Sequence, residues 1–294
     1  MSNLEKFAPI LFLIMWSSGA VFVKMGLEDA SVWSFLTVRS LGALMLVGLI
    51  AILLRRSPFT SLTRLTRPTL GKLLLSGFLL QVCYQGCYFL AIEYEISPGI
   101  VAIVLGLQPL LTPFISRENA SLKSYFTLIL GFSGLTLAVY GAKDVSTITF
   151  LGMLFSLIAV LAITVGSIYQ NNISIDPIES SLVQNAFAGL FFLVISVTIG
   201  WDVNLTTKFI ISAGWMIGVV STGAVLLLLY MLSKNSANSV SILFFLTPIF
   251  TMAFDHIAFG TAITTTTMFG SFIVIVSIYL FKQPRVNNKM IKSN

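Results

Sequence analysis

A chain of 294 residues with 56% hydrophobic and only 10% charged side chains cannot solvate a globular surface, which carries roughly 25% charged residues. Its net charge of +6 does not indicate nucleic acid, because the basic residues fall in short segments between apolar runs and at the C-terminal end. Lipid is the remaining solvent. There every backbone N–H and C=O must be satisfied internally, which leaves helices or closed barrels, and apolar runs of about twenty residues select helices.

Ten spans are expected, near 7–26, 33–54, 70–92, 97–115, 121–140, 149–171, 178–199, 209–232, 237–256 and 262–281. The breaks carry charge or turn signals, among them Glu28-Asp29, Arg55-Arg56-Ser57-Pro58, Ser97-Pro98-Gly99, Arg117-Glu118-Asn119, Asp176-Pro177 and Trp201-Asp202. The first span starts at Phe7 after one lysine and lacks a small-residue cleavage site, so it is expected to be retained. If both termini are cytoplasmic, thirteen Lys and Arg lie inside and only Lys24, Lys143 and Lys208 lie outside, with Arg39 within a span. The positive-inside bias therefore selects that orientation, and the inner (cytoplasmic) membrane is the expected location.

In chain order, span 1 offers Trp16, Ser17 and Ser18, either as cavity lining or as small residues for close packing. Arg39 lies in span 2, six residues after Trp33, or about 9 Å along a helix. An arginine inside the bilayer faces a partner or a wet cavity, and its planar fork suits a carboxylate or phosphate. The alternative is structural pairing with helix-end carbonyls, Glu93 or Glu95. In span 3, Gln81, Tyr84, Gln85 and Tyr88 follow i, i+3, i+4, i+7 and are expected on one face, lining a cavity or bonding to other helices. Cys83 and Cys87 share that span without a nearby His or acid and read as packing, not metal ligands. Gln108 precedes Pro109 in span 4, and Pro248 stands in span 9; kinks at the two prolines could gate or be static bends. Tyr169, Gln170 and Asn171 read as solvated at the inner end of span 6, Gln184 and Asn185 as cavity candidates in span 7, and His256 as a solvated helix-end residue.

A shift of 139 residues lays 97–114 on 236–253 without a gap and pairs Pro109 with Pro248, Thr112 with Thr251 and Gly131 with Gly270. Near the start of each half the shift lengthens to about 146. Five spans per half is an odd number, so the second half enters the membrane from the opposite side. The expected fold is an all-α integral membrane protein of ten transmembrane helices, built as two inverted five-helix repeats, 1–142 and 143–294. Such a repeat places a solute site near the midplane.

Trp16-Ser17-Ser18-Gly19-Ala20-Val21-Phe22-Val23-Lys24, Arg39, Leu107-Gln108-Pro109-Leu110 and Leu246-Thr247-Pro248-Ile249 resemble the EamA-type family of the drug/metabolite transporter superfamily, over nearly the whole chain. That resemblance implies a metabolite exporter, with amino acids among its substrates. The chain departs from the family in span 6, where Ala162-Ile163-Thr164-Val165-Gly166 replaces a tryptophan-bearing motif.

No Asp or Glu lies near the middle of a span, so the interior favours carboxylate-bearing solutes over bare cations. The expectation is alternating-access transport, with Arg39, Gln81, Tyr84, Gln85, Tyr88, Trp16, Ser17, Gln108 and Asn185 binding substrate and Pro109 and Pro248 gating. The rival substrates are cationic drugs or S-adenosylmethionine-like nucleosides. An enzyme would need an acid/base, metal or nucleophile constellation that is not found, and a channel would need charge rings or filter loops. No cofactor, no catalytic residue, no metal and no nucleic-acid partner are expected. Substrate and membrane lipid are the partners, and a homodimer is allowed.

Overall fold

The computed structural model describes residues 3–54, 66–94, 96, 101, 104–116, 122–141, 149–259 and 264–282. The helices are α1 (Asn3–Leu27), α2 (Val32–Leu53), α3 (Arg67–Glu93), α4 (Gln108–Ser116), α5 (Leu122–Gly141), α6 (Phe150–Asn171), α7 (Pro177–Ile199), α8 (Thr207–Lys234), α9 and α10 (Thr265–Lys282). The ninth is interrupted, running as Ala237–Ser241, a 3-10 turn Ile242–Phe245, and Thr247–Phe259. Seven of these stretches are long and apolar enough to cross a membrane, α5 and α10 carry shorter apolar segments, and helical turns at Val101 and 104–105 precede α4. The fold is the ten-span, all-helical one read from the sequence. The proposed junction at 142/143 lies outside the described residues.

Local chemistry sets the helix ends. Ser31, Thr149 and Thr206 accept backbone N–H bonds as N-caps of α2, α6 and α8, while Asp176 caps α7 with Pro177 in its first turn. α7 stops at Gly200, whose φ of 129° is open only to glycine. The outward faces are apolar: Leu49, Ile52, Leu190, Val194, Val197, Phe269 and Phe272 are exposed, as hydrocarbon requires.

Packing follows a two-fold pattern. α2 lies against α7 and α5 against α10, pairing each helix with its own counterpart five places on. The contacts of α3 with α6 are repeated by α8 with α1, and those of α4 with α6 by α9 with α1. In the α5–α10 seam, a Cβ on Gly131 would meet Ser277 Oγ at 2.6 Å and one on Gly270 would meet Ala138 N at 2.3 Å. Ser277 and Ala138 are themselves separated by the same 139-residue shift as the two glycines.

Hydrogen bonds between connecting segments agree with odd and even counting of spans. The turn after α1 meets the loop before α8: Ala30 bridges Val203, Thr206 Oγ1 donates to Asp29 Oδ2 at 2.7 Å, and Lys208 pairs with Glu28. Thr149 Oγ1, ahead of α6, donates to the Tyr94 carbonyl at 2.7 Å, and Thr264 Oγ1 donates to the Gly141 carbonyl at 2.7 Å. All of these lie on the face opposite the termini. On the terminal face, Asn171 Nδ2 donates to the carbonyls of Leu232 and Asn235 at 2.5 and 2.7 Å.

Candidate functional site

Two stretches of irregular helix prepare the site. α3 contains a π-helical segment at Phe78–Cys83, and α8 contains one at Met216–Ala224. They occupy equivalent places in the two halves. A π segment carries extra residues in its turn and rotates everything before it relative to everything after, a device common at functional sites. In α3 it breaks the face expected of Gln81, Tyr84, Gln85 and Tyr88. The last three belong to the regular helix Tyr84–Glu93 and line one cavity, whereas Gln81, inside the π segment, is buried away from it.

The cavity lies between the halves and is lined by residues of both. Arg39 enters it from α2, seven residues past the helix start, or about 10 Å in from the face opposite the termini. Its Nε donates to Ser221 Oγ at 2.6 Å and its Nη1 to Gln85 Oε1 at 2.6 Å. The guanidinium also lies over the Phe89 ring, 5.6 Å from the centroid. Ser221 belongs to the π segment of α8, so the irregular turn delivers one of the two anchors. Both anchors are neutral. Glu93 is exposed at the end of α3, so the expected alternative of an Arg39–Glu93 pair does not form, and Glu95 lies outside the described residues. Among the described residues no carboxylate pairs with Arg39, although it is only 2% exposed.

Rings close the cavity toward the terminal face. Trp16 stacks on Tyr84 with centroids 5.9 Å apart and planes 14° apart, and meets Phe244 edge-on at 5.8 Å. Phe12 lies behind both. α1 is joined to α9 at this level by Ser17 Oγ, which donates to the Thr247 carbonyl at 3.1 Å, and by Thr251 Oγ1, which donates to the Ser17 carbonyl at 3.4 Å. Ser18 Oγ accepts Trp215 Nε1–H at 2.9 Å.

The structure thus brings Trp16, Ser17, Arg39, Tyr84, Gln85, Tyr88 and Pro248 around one cavity and leaves Gln81, Gln108, Pro109 and Asn185 out of it. Asn185 spends its amide on its own helix, donating to the Ser181 carbonyl and Oγ at 2.9 and 3.1 Å. Gln108 is buried, with its carbonyl accepting Thr112 Oγ1. The two prolines are not in helix interiors. Pro109 and Pro248 each occupy the second position of a helix, where a missing N–H breaks no bond.

Gln170 is not a solvated helix-end residue, whereas Tyr169 is exposed as expected and Asn171 is half-buried. Gln170 is buried, and its Oε1 accepts Gln184 Nε2 at 2.8 Å and Ser76 Oγ at 3.0 Å, while its Nε2 donates to Ser180 Oγ at 3.3 Å. This polar knot joins α3, α6 and α7 on the terminal side, and it takes up Gln184, which was a cavity candidate. Cys83 and Cys87 are partly buried against the core, and His256 is exposed near the end of α9. Sequence reasoning missed Ser221, Met216, Val220, Phe244, Thr247 and Thr251 in the second half, and Val23, Phe89 and Leu105 in the first. The signal available was the repeat itself, since Thr247 and Pro248 stand 139 residues after Gln108 and Pro109.

The EamA-like transporter family profile matches residues 6–140 and 145–282. The chain is 27% identical to the WAT1-related protein At3g02690, chloroplastic, of Arabidopsis thaliana, over 70% of this chain and 53% of that protein, so it spans about half that relative's length. It is 25% identical to the uncharacterized transporter sll0355 of Synechocystis sp., over 96% of this chain and 90% of that one. A solved crystal structure superposes with a TM-score of 0.73 at 14% identity, covering 96% of this chain and 98% of that one, a likeness of fold. With both halves matched by the profile, the chain is a multi-pass membrane protein belonging to the EamA-like transporter family.

Proposed function

We propose that the chain is a secondary transporter of small carboxylate-bearing solutes, amino acids among them, in the cytoplasmic membrane with both termini in the cytoplasm. Its two halves would expose the cavity alternately to each side, and export is the direction that the resemblance implies. One observation carries the reading: a buried guanidinium in the cavity wall whose protein partners are neutral. Burying a charge without a counter-charge is costly, and a solute carboxylate supplies the missing one. The aromatic pair Trp16–Tyr84 offers the solute body a flat apolar surface. The same pair would suit a nucleoside-like solute, whereas the cationic wall disfavours bare cations.

The experiment is uptake into proteoliposomes of labelled amino acids, organic acids, nucleosides and organic cations, with and without a pH gradient. Saturable uptake of the carboxylates is expected. It should fall in Arg39→Ala by 30-fold or more, since truncating one partner of a buried charge pair costs about 2–5 kcal/mol. Preferential uptake of cations, or carboxylate uptake unchanged in Arg39→Ala, rejects the reading.

A further inference from the structure

The wall of the cavity contains a hydroxyl that nothing in the fold uses. Thr247 Oγ1 is buried and has no hydrogen-bond partner. Other threonines in these helices turn the hydroxyl back onto a carbonyl four residues earlier, as Thr37 does to Trp33, Thr112 to Gln108 and Thr164 to Val160. Thr247 opens the last piece of α9, directly after the 3-10 turn, where the regular helical spacing to the carbonyl four residues earlier is interrupted. The neighbouring hydroxyls are committed to the α1–α9 seam, Ser17 to the Thr247 carbonyl and Thr251 to the Ser17 carbonyl. Buried polar groups left unpaired are rare, because each loses its water without replacement.

The same pattern occurs in the other half. Gln108, 139 residues earlier and likewise just before a proline, also buries a side-chain oxygen without a partner. In the conformation seen here Thr247 is among the residues that line the cavity, its Oγ1 buried just behind that lining, and Gln108 is not among them.

We propose that Thr247 is a specificity-determining residue for the solute's second polar group. Its hydroxyl accepts a hydrogen bond from an amino group, or exchanges one with a hydroxyl, on a carboxylate solute whose anionic end rests on Arg39. The inference rests on the carboxylate reading above and deepens it: one named residue sets amino- and hydroxy-carboxylates above plain ones. Arg39 belongs to the first half and Thr247 to the second, so such a solute ties the two halves together across their interface.

The test is uptake of phenylalanine, phenyllactate and 3-phenylpropanoate, which share a carboxylate and an aromatic body and differ in one polar group. The wild-type protein should favour the first two by about three- to tenfold in kcat/KM, the worth of one net hydrogen bond. Thr247→Val, close in shape, should erase that preference and leave 3-phenylpropanoate uptake intact. Thr247→Ser should keep the preference, and Arg39→Ala should depress all three. Preference retained in Thr247→Val, or an equal loss of all three solutes in both Thr247 variants, overturns the assignment. Wild-type uptake without discrimination among the three also overturns it while sparing the carboxylate reading. No uptake of any of them overturns both.

Discussion

Gly270→Ala is the sharpest test of how the two halves are joined. A Cβ at Gly270 would lie 2.3 Å from Ala138 N, 2.6 Å from Gly134 O and 2.7 Å from Ala138 Cα, against an ordinary contact of 3.4 Å or more. All three neighbours are backbone, so no side chain can turn away, and α5 and α10 must separate by about 1 Å. Overpacking of this kind costs about 1–3 kcal/mol, and replacing a helical glycine returns about 0.5–1 kcal/mol. The expected net loss is therefore about 1 kcal/mol at the centres of these ranges, and about 2.5 kcal/mol at most. Separation also stretches the Thr267 Oγ1 to Ala138 carbonyl bond of 3.0 Å beside the contact. Gly131→Ala should cost less, because its nearest neighbour is a side-chain hydroxyl, Ser277 Oγ at 2.6 Å, which can rotate at the loss of its bond to the Thr127 carbonyl. Gly71→Ala and Gly214→Ala, with nothing within 4 Å, should be neutral or stabilising. SDS-driven unfolding in mixed micelles, followed by tryptophan fluorescence, measures the series. Gly270→Ala as stable as Gly71→Ala would refute the close seam and the packing argument drawn from it.

The polar knot on the terminal side predicts a destabilisation of about 1 kcal/mol for Gln184→Leu, which leaves Gln170 short of a donor, and a positive coupling between Gln170→Ala and Gln184→Ala in a double-mutant cycle. Trp16→Ala removes one face of the Trp16–Tyr84 stack and should weaken uptake of ring-bearing solutes more than aliphatic ones, as a KM comparison reads. Lys208→Ala breaks only an exposed pair with Glu28, so unfolding curves at low and high salt should nearly superpose on those of the wild type. Pro248→Ala should leave stability almost unchanged, because the proline sits in a first turn; a fall in turnover at constant KM would mark it as a hinge.

Much of the architecture was readable from the chain. The scarcity of charge selected the bilayer, apolar runs fixed the span ends to within a few residues where those ends are described, and Pro109/Pro248 with Gly131/Gly270 disclosed the repeat, because each reflects a local or one-dimensional constraint. Arg39, Tyr84, Gln85 and Tyr88 could be singled out for the same reason: polar groups in hydrocarbon are costly wherever they point. Their direction was another matter. Gln81 fits the spacing of its neighbours, yet a π turn rotates it away, and nothing in the local sequence announces that turn. Asn185 and Gln108 are as polar as Gln85, but one bonds its own helix and the other is buried outside the cavity. Ser221 and Thr247 are unremarkable in a list of residues. They matter because helices more than a hundred residues apart in sequence bring one to Arg39 and the other to the same cavity. Sequence by itself determined the solvent, the number of crossings and the inverted symmetry, since burial of backbone polar groups in lipid admits few solutions. Only the tertiary structure decided which buried polar groups satisfy one another and which are left for a solute, because that depends on distances between helices that the order of residues does not encode locally.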